Sequence, residues 1–122
     1  DPAHHWPEPA LAAPVAADRG PVLVLVTYRI DAADRPAALA LLRQLSLHRR
    51  GDGASGWGLT EDTADPTQLV EWFLLPSWQE HLRQHHRASH AAAVLQAQLR
   101  RIHRAPEPPA VHHLLTLAGA TP

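Results

Sequence analysis

The chain of 122 residues contains no cysteine, no methionine and no lysine. Without cysteine it has no disulfide framework, no thiolate nucleophile and no thiolate ligand for a metal. Its 11 basic residues other than histidine are all arginine, and 12 acidic residues balance them to a net charge of −1. Because no cluster of cations stands out that could neutralise a run of phosphates, the composition argues against a nucleic-acid partner.

Two further absences concern the extent of the chain. It begins at Asp1 and has no methionine, so we expect either the processed form of a precursor or, as we favour, a part of a longer protein. It also lacks a run of about 20 apolar residues, the length that crosses a bilayer as a helix. Any membrane-spanning part is therefore expected outside these residues. The apolar fraction of 45% is typical of a single globular domain.

Proline is concentrated near the N-terminus, where Pro2, Pro7, Pro9 and Pro14 lie among alanines. Proline lacks the N–H that helices and inner strands need, so residues 1–20 are predicted to form an extended tether. Trp6 lies within this tether and is expected to dock on the domain, because an aromatic side chain gains by burying its large surface. Residues 21–117 then form the domain, and residues 118–122 a tail.

Seven segments of predicted strand or helix follow the tether. The first strand has apolar residues on both faces of its first half, which predicts a central position in a sheet. Gly56 and Gly58 share one face of the second strand and leave room for a large group to approach its backbone. The predicted strands are Val22–Ile30, Ser55–Glu61, Gln68–Leu75 and Val111–Leu117.

Side-chain capping signals place the helices between these strands. The first follows Asp34, tolerates Pro36 in its first turn and is expected to stop at Gly51. A short helix begins with the capping box of Ser77 and Glu80, and a longer one begins after Ser89. The inner face of the longer helix is predicted to consist of Ala91, Val94, Leu95, Leu99 and Ile102.

The order β-α-β-β-α-β predicts an α+β, ferredoxin-like fold with a four-stranded antiparallel sheet. Its helices would cover one face of that sheet and leave the other face bare. Because apolar residues occupy both faces of the first and third strands, the bare face is also expected to be covered. A second copy of the chain is the simplest cover.

An ordered series of short motifs resembles the soluble C-terminal tail of exporters of the major facilitator superfamily, in the transmembrane secretion effector group. The resemblance extends from Trp6 to about Leu115 and is carried by Gly20–Val24, Tyr28–Asp31, Arg49–Ala54, Val70–Leu74 and Ser77–His85. The same stretch is more distantly similar to antibiotic-biosynthesis-monooxygenase-type domains, which implies a dimeric α/β barrel.

The resemblance implies an accessory domain for dimerisation or ligand sensing that is not itself catalytic. It would lie on the cytoplasmic side of the bacterial inner membrane. Its expected partners are a second copy of itself, the upstream transmembrane domain of the same protein and a small-molecule ligand. No cofactor and no catalytic residue are expected.

The aromatic residues and histidines are the candidates for ligand binding. Trp57, Trp72 and Trp78 could line a pocket between sheet and helices, although packing in the core or in a dimer interface is the simpler interpretation. His81 and His85 lie four residues apart on one helical face, where they could place a polar group against a ligand. No metal site is expected, because two histidines without cysteine fall short of the usual four ligands.

Two alternatives remain open at this point. One is a cofactor-independent monooxygenase-like enzyme that acts on a polycyclic aromatic or a quinol, which would use the tryptophans and histidines as its site. The other is haem or metal binding through His81 and His85.

Overall fold

The structure, a computed structural model, describes residues 10–86 and 89–120, apart from the side chains of residues 85 and 86. Four strands and three helices follow one another in the predicted order, with the second helical region divided into two. The strands are β1 (Val22–Arg29), β2 (Gly56–Glu61), β3 (Gln68–Leu75) and β4 (Ala110–Leu115), and the helices are α1 (Arg35–Gly51), α2 (Trp78–His86) and α3 (His90–Ile102).

The strands form one antiparallel sheet in the order β2-β3-β1-β4. β1 is central, as its two apolar faces predict, and Leu25 lies between Trp72 on β3 and His112 on β4. The core joins the inner residues of β1 and β3 to the apolar stripes of the three helices. The ferredoxin-like prediction is confirmed, and the sheet has a covered inner face and an outer face.

Helix α1 buries Ala38, Leu42 and Leu45, which recur at helical spacing, and Arg49 one turn further on. The helix ends at Gly51, as the sequence predicts. The residue that turns the chain is Gly53, whose φ of 110° lies in the left-handed region that favours glycine.

The capping predictions for α2 and α3 hold at their N-termini. Ser77 Oγ accepts a hydrogen bond from the Glu80 N–H at 3.2 Å, but the Glu80 carboxylate pairs with Arg83. Ser89 Oγ accepts from the Ala92 N–H at 3.1 Å and begins α3. These side-chain caps satisfy backbone donors that have no partner within the helix.

The predicted inner face of α3 was partly wrong. Leu95 and Leu99 are buried, but Ala92 and Ala93 complete the buried stripe while Val94 is 42% exposed. α3 packs against α1. The size of Val94 gave a misleading signal, because the smaller Ala92 and Ala93 are buried and Val94 is not.

Residues 10–20 have no regular secondary structure, and Val15 packs against the core. Residues 1–9, including the predicted docking of Trp6, lie outside the described residues, as do residues 121 and 122. Within the described part of the chain, no helix has both the length and the hydropathy to cross a membrane.

Candidate functional site

A buried carboxylate lies on the inner face of the sheet beneath α1. Glu71, on β3, accepts hydrogen bonds from Arg49 Nε to Oε2 at 3.0 Å and from Arg49 Nη2 to Oε1 at 3.1 Å. The Arg49 guanidinium also lies 4.5 Å from the centre of the Phe73 ring, within range of a cation–π interaction. This pair connects α1 to the centre of the sheet.

Two further donors complete this ion cluster, which consists of Tyr28, Arg49, Trp57 and Glu71. The Tyr28 hydroxyl donates to Oε1 at 3.0 Å, and the Trp57 Nε1–H donates to Oε2 at 2.9 Å. Each carboxylate oxygen therefore accepts two hydrogen bonds. The cluster joins α1, β1, β2 and β3, and its buried charge is fully compensated.

Charge and burial act in opposite directions in the ion cluster. Burial would raise the pKa of Glu71, but the Arg49 charge and the hydrogen bonds from its three neighbours hold that pKa below the usual range. Burial, followed by the adjacent Glu71 charge, raises the pKa of Tyr28 well above its usual value. Glu71 is thus an anion with its lone pairs occupied, which suits a structural role better than that of a general base.

A second group of side chains, called the ring cluster below, lies between α2 and β4. It consists of Trp78 and His81 from α2 and His113 from β4. The His81 and His113 ring centres are 4.4 Å apart, and the Trp78 ring lies 4.8 Å from His81 and 6.2 Å from His113. His81 is 1% exposed, so this contact is removed from water. Gln84, on the next turn of α2, is 7% exposed, and its Nε2 has no hydrogen-bond partner in the described part of the chain.

The third tryptophan of the prediction lies on the outer face of the sheet. The Trp72 ring covers the backbone of β2 so closely that a Cβ on Gly58 would come within 2.3 Å of Trp72 Nε1. Gly56 approaches the same ring less closely. The bare face of β2 does admit a large group, as its glycines predict, and that group is a neighbouring side chain.

The five predicted ligand-binding residues are therefore divided among three places. Trp57 belongs to the ion cluster, Trp72 to the outer face, and Trp78 and His81 to the ring cluster. The side chain of His85 lies outside the described residues. No single pocket lined by all three tryptophans exists in the described chain.

Sequence reasoning missed His113 and Arg49. His113 faces inward because it pairs with Val24 across the β1–β4 ladder, and the alternation of β4 was the available signal. Arg49 lies in the last turn of α1, where a cation usually favours the helix C-terminus from the surface, but its side chain is buried against Glu71. In the described residues, no group of three or more histidines and carboxylates is arranged to hold a metal ion.

A further buried histidine closes the end of the sheet. His103 Nδ1 accepts from the Arg29 N–H at 3.0 Å, so Nε2 carries the proton and donates to the Glu107 carbonyl, also at 3.0 Å. Burial, assisted by the charges of Arg100 and Arg29, lowers the pKa of His103. The ring is thus held neutral, in one tautomer, where β1 leaves the sheet.

Solved structures with the same fold include small bacterial proteins. Rv0793 from Mycobacterium tuberculosis is 27% identical, with a TM-score of 0.66 over 84% of this chain and 100% of its own. A putative antibiotic biosynthesis monooxygenase from Caulobacter crescentus CB15 is 14% identical, with a TM-score of 0.68 over 83% of this chain and 93% of its own. One from Nitrosomonas europaea is 11% identical, with a TM-score of 0.66 over 88% and 98%.

No curated protein matches the sequence. The family described as transmembrane secretion effector matches residues 1–121, which includes both clusters and the whole sheet. That description associates the chain with proteins of membrane transport, and the solved structures agree with its ferredoxin-like fold. The chain belongs to the transmembrane secretion effector family.

Proposed function

We propose that this chain is a non-catalytic accessory domain of a major-facilitator-type exporter, on the cytoplasmic side of the bacterial cell membrane. In this proposal it pairs with a second copy through the outer face of its sheet and so brings two exporters together. The family assignment supports the link to transport. The observation that carries the pairing is the apolar character of the outer face.

The outer face, called the open face below, consists of the side chains that alternate with the buried ones along β1, β3 and β4. No helix of the described chain packs on it, and its apolar members are partly or fully exposed, with Leu114 at 47%. A contiguous apolar face of this kind is unusual on a monomer. Its apolar members are Leu23, Leu25, Val70, Trp72, Leu74 and Leu114.

A second copy is the occupant that this face favours. The centre of the face carries no carboxylate and no guanidinium, because Leu25 is flanked by Trp72 and His112. A charged partner would gain little there, whereas two sheets of the same kind pack face to face with their side chains interdigitated. A twofold arrangement presents the same apolar residues from both sides.

The buried polar groups support a non-catalytic role. Glu71 is the buried carboxylate of the core, and four hydrogen bonds already occupy its oxygens. The match with the complete Rv0793 chain supports a self-contained unit of this size. Such a unit can act as a dimerisation module attached to a larger protein.

Light scattering over an approximately 100-fold dilution series tests the pairing. The expected mass is twice 13.4 kDa for the native chain, and Leu25→Arg is expected to give the monomer mass because it places a charge in the centre of the face. The matched control is Leu47→Arg, at a position on α1 that is 70% exposed, and this variant should remain dimeric. A native chain that is monomeric throughout would overturn the proposal.

The ring cluster favours one second candidate, a monooxygenase-like enzyme acting on a polycyclic aromatic or a quinol. Aromatic and imidazole rings in contact with one another between α2 and the sheet suit a flat substrate, and several solved structures of this fold are named as putative monooxygenases. Oxygen consumption with anthrone-type and quinol substrates tests it. Turnover that is lost in His81→Ala and His85→Ala, but kept in the exposed-site control His90→Ala, would establish it. Absence of turnover across the panel would reject it.

A further inference from the structure

The segment that leads into β1 forms the N-terminal cap of α2. Within this entry segment, residues 15–20, the Arg19 carbonyl accepts from the Trp78 N–H at 2.6 Å and the Ala17 carbonyl accepts from the Gln79 N–H at 2.9 Å. The first backbone donors of a helix have no partner inside it. Two of those donors in α2 therefore depend on a segment more than fifty residues earlier in the chain.

The entry segment is also bonded to the end of β4. Thr116 donates to the Pro21 carbonyl from both its N–H, at 3.1 Å, and its hydroxyl, at 3.0 Å. The Arg19 guanidinium returns a hydrogen bond to the Thr116 carbonyl at 3.3 Å. α2 carries Trp78 and His81 of the ring cluster, and β4 carries His113. The entry segment and the residue that follows it are thus bonded to both elements that bring these rings together.

Close packing fixes the position of the entry segment. A Cβ on Gly20 would lie 2.3 Å from the Pro76 carbonyl oxygen and 2.8 Å from Ser77 Cα. Both are backbone atoms, which cannot move aside as the end of a flexible side chain can. At the other end of the segment, Val15 packs against the core. Glycine at position 20 is what allows the segment to reach the start of α2.

We infer that the entry segment and the ring cluster are coupled, so that a change in the packing of the rings is transmitted to the chain that precedes the domain. Trp78 is the shared residue, because its backbone N–H holds the entry segment while its indole contacts both histidines. The coupling rests on the proposed function, in which the preceding chain leads to the membrane part of an exporter. It gives that exporter a route by which a change in the packing of the ring cluster reaches the connection to the membrane part.

Coupling between two sites is reciprocal, so it is tested from both ends. Gly20→Ala displaces the entry segment, and its matched control is Gly51→Ala, where an added Cβ meets nothing within 4 Å. Amide hydrogen exchange at Trp78 and Gln79 is expected to accelerate roughly tenfold or more in Gly20→Ala and to stay unchanged in Gly51→Ala. The imidazole NMR signals of His81 and His113 are expected to shift in Gly20→Ala alone.

The test from the other end uses two adjacent histidines on opposite faces of β4. His113→Leu changes the ring cluster and is expected to accelerate exchange at the Trp78 and Gln79 amides. His112→Leu changes only the open face and should leave those amides protected. If Gly20→Ala does not fold, Val15→Asn releases the other end of the segment and takes its place.

Two results would overturn the coupling. One is unchanged exchange at Trp78 and Gln79 when the entry segment is displaced, and the other is faster exchange without any shift of the His81 and His113 signals. The mass of each variant is measured in the same samples by light scattering. A coupled chain that is monomeric would refute the proposed pairing alone, and a dimer without coupling would refute this inference alone.

Discussion

The two faces of the sheet use the same strands in opposite ways. On the inner face of β1 and β3, every second residue is buried against the helices, and the charge of Glu71 is compensated by Arg49 and two neutral donors. On the open face, most of the residues in between are apolar and partly exposed, and the polar Thr27, Arg29 and Gln68 lie together at one end. Both faces therefore carry a large apolar area, but only one of them has its partner within the described chain.

This difference separates folding from association. A change on the inner face removes contacts made within one chain, so its cost is expected to be independent of protein concentration. A change on the open face removes contacts between copies. Its effect on the free energy of unfolding is therefore expected to depend on protein concentration, as mass action requires. The predictions below use that distinction.

The largest effect is expected for Arg49→Leu. This change leaves the Glu71 carboxylate buried without its cation, and removing one partner of a buried pair costs about 3–5 kcal/mol of folding free energy. Arg50→Leu is the control, because Arg50 is the next residue of α1 and is exposed. Urea unfolding at fixed protein concentration measures both variants. A loss below about 1 kcal/mol for Arg49→Leu would show that the ion cluster does not stabilise the fold.

Trp72→Ala is expected to affect association most strongly. A buried aromatic at the centre of an interface contributes about 2 kcal/mol or more, which corresponds to roughly a 30-fold weaker dimer. The same substitution in the monomeric Leu25→Arg background isolates its effect on folding, which should be smaller. Sedimentation equilibrium gives the first value and urea unfolding the second. Equal losses in the two measurements would place Trp72 among the folding residues and remove it from the interface.

Tyr28→Phe sharpens the comparison within the ion cluster. The change removes one hydrogen bond to a buried charge and is expected to cost about 1.5 kcal/mol. Thr60→Val removes an exposed side-chain hydrogen bond on β2 and should cost less than about 0.5 kcal/mol. Thermal unfolding of both variants provides the measurement. Equal costs would indicate that burial does not strengthen the cluster.

The smallest expected effect is a change in pH dependence. His103 has a lowered pKa in the folded chain, so the unfolded chain takes up the proton first as the pH falls below about 6.5. Stability from this residue is therefore present above that pH and is lost as the pH falls through the folded value. The pKa of Glu71 is also lowered in the folded chain, so its carboxylate contributes stability at neutral pH. That contribution is lost as the pH falls below about 4.3, where the unfolded chain takes up the proton first.

Urea unfolding at a series of pH values tests this prediction with His103→Gln. The variant should show a shallower decline as the pH falls below about 6.5, and should retain the steeper decline in acid that Glu71 contributes. Arg104, next to His103, is exposed and forms ion pairs with Asp31 and Asp34, so Arg104→Gln controls for the loss of surface charge nearby. Parallel curves for the native chain and His103→Gln would exclude a role for this histidine.

Local sequence signals were sufficient to predict the strands and helices and their order along the chain. The alternation of Val22, Val24 and Val26 with Leu23 and Leu25 predicted a central strand, and β1 is central. Ser77 and Ser89 predicted where α2 and α3 begin, because a cap depends on residues within one turn. These predictions need only neighbouring residues, and they were confirmed.

The sites could not be predicted in the same way, because they depend on register between distant residues. Trp57 pairs with Phe73 and Gly58 with Trp72, so two tryptophans that appear equivalent in sequence lie on opposite faces. The six residues between β2 and β3 do not determine that register from sequence alone. Arg49 meets Glu71 for the same reason, since only the packing of α1 on β3 brings them together.

Isotope-filtered NOE measurements on an equal mixture of labelled and unlabelled chains test the pairing of open faces most directly. They detect contacts between copies and identify the residues that make them. The account predicts intermolecular contacts from the methyl groups of Leu25 and Leu114 and from the Trp72 ring, and none from the exposed Leu47 on α1. Intermolecular contacts confined to Leu47 and its neighbours, or none at concentrations where the mass is that of a dimer, would contradict it.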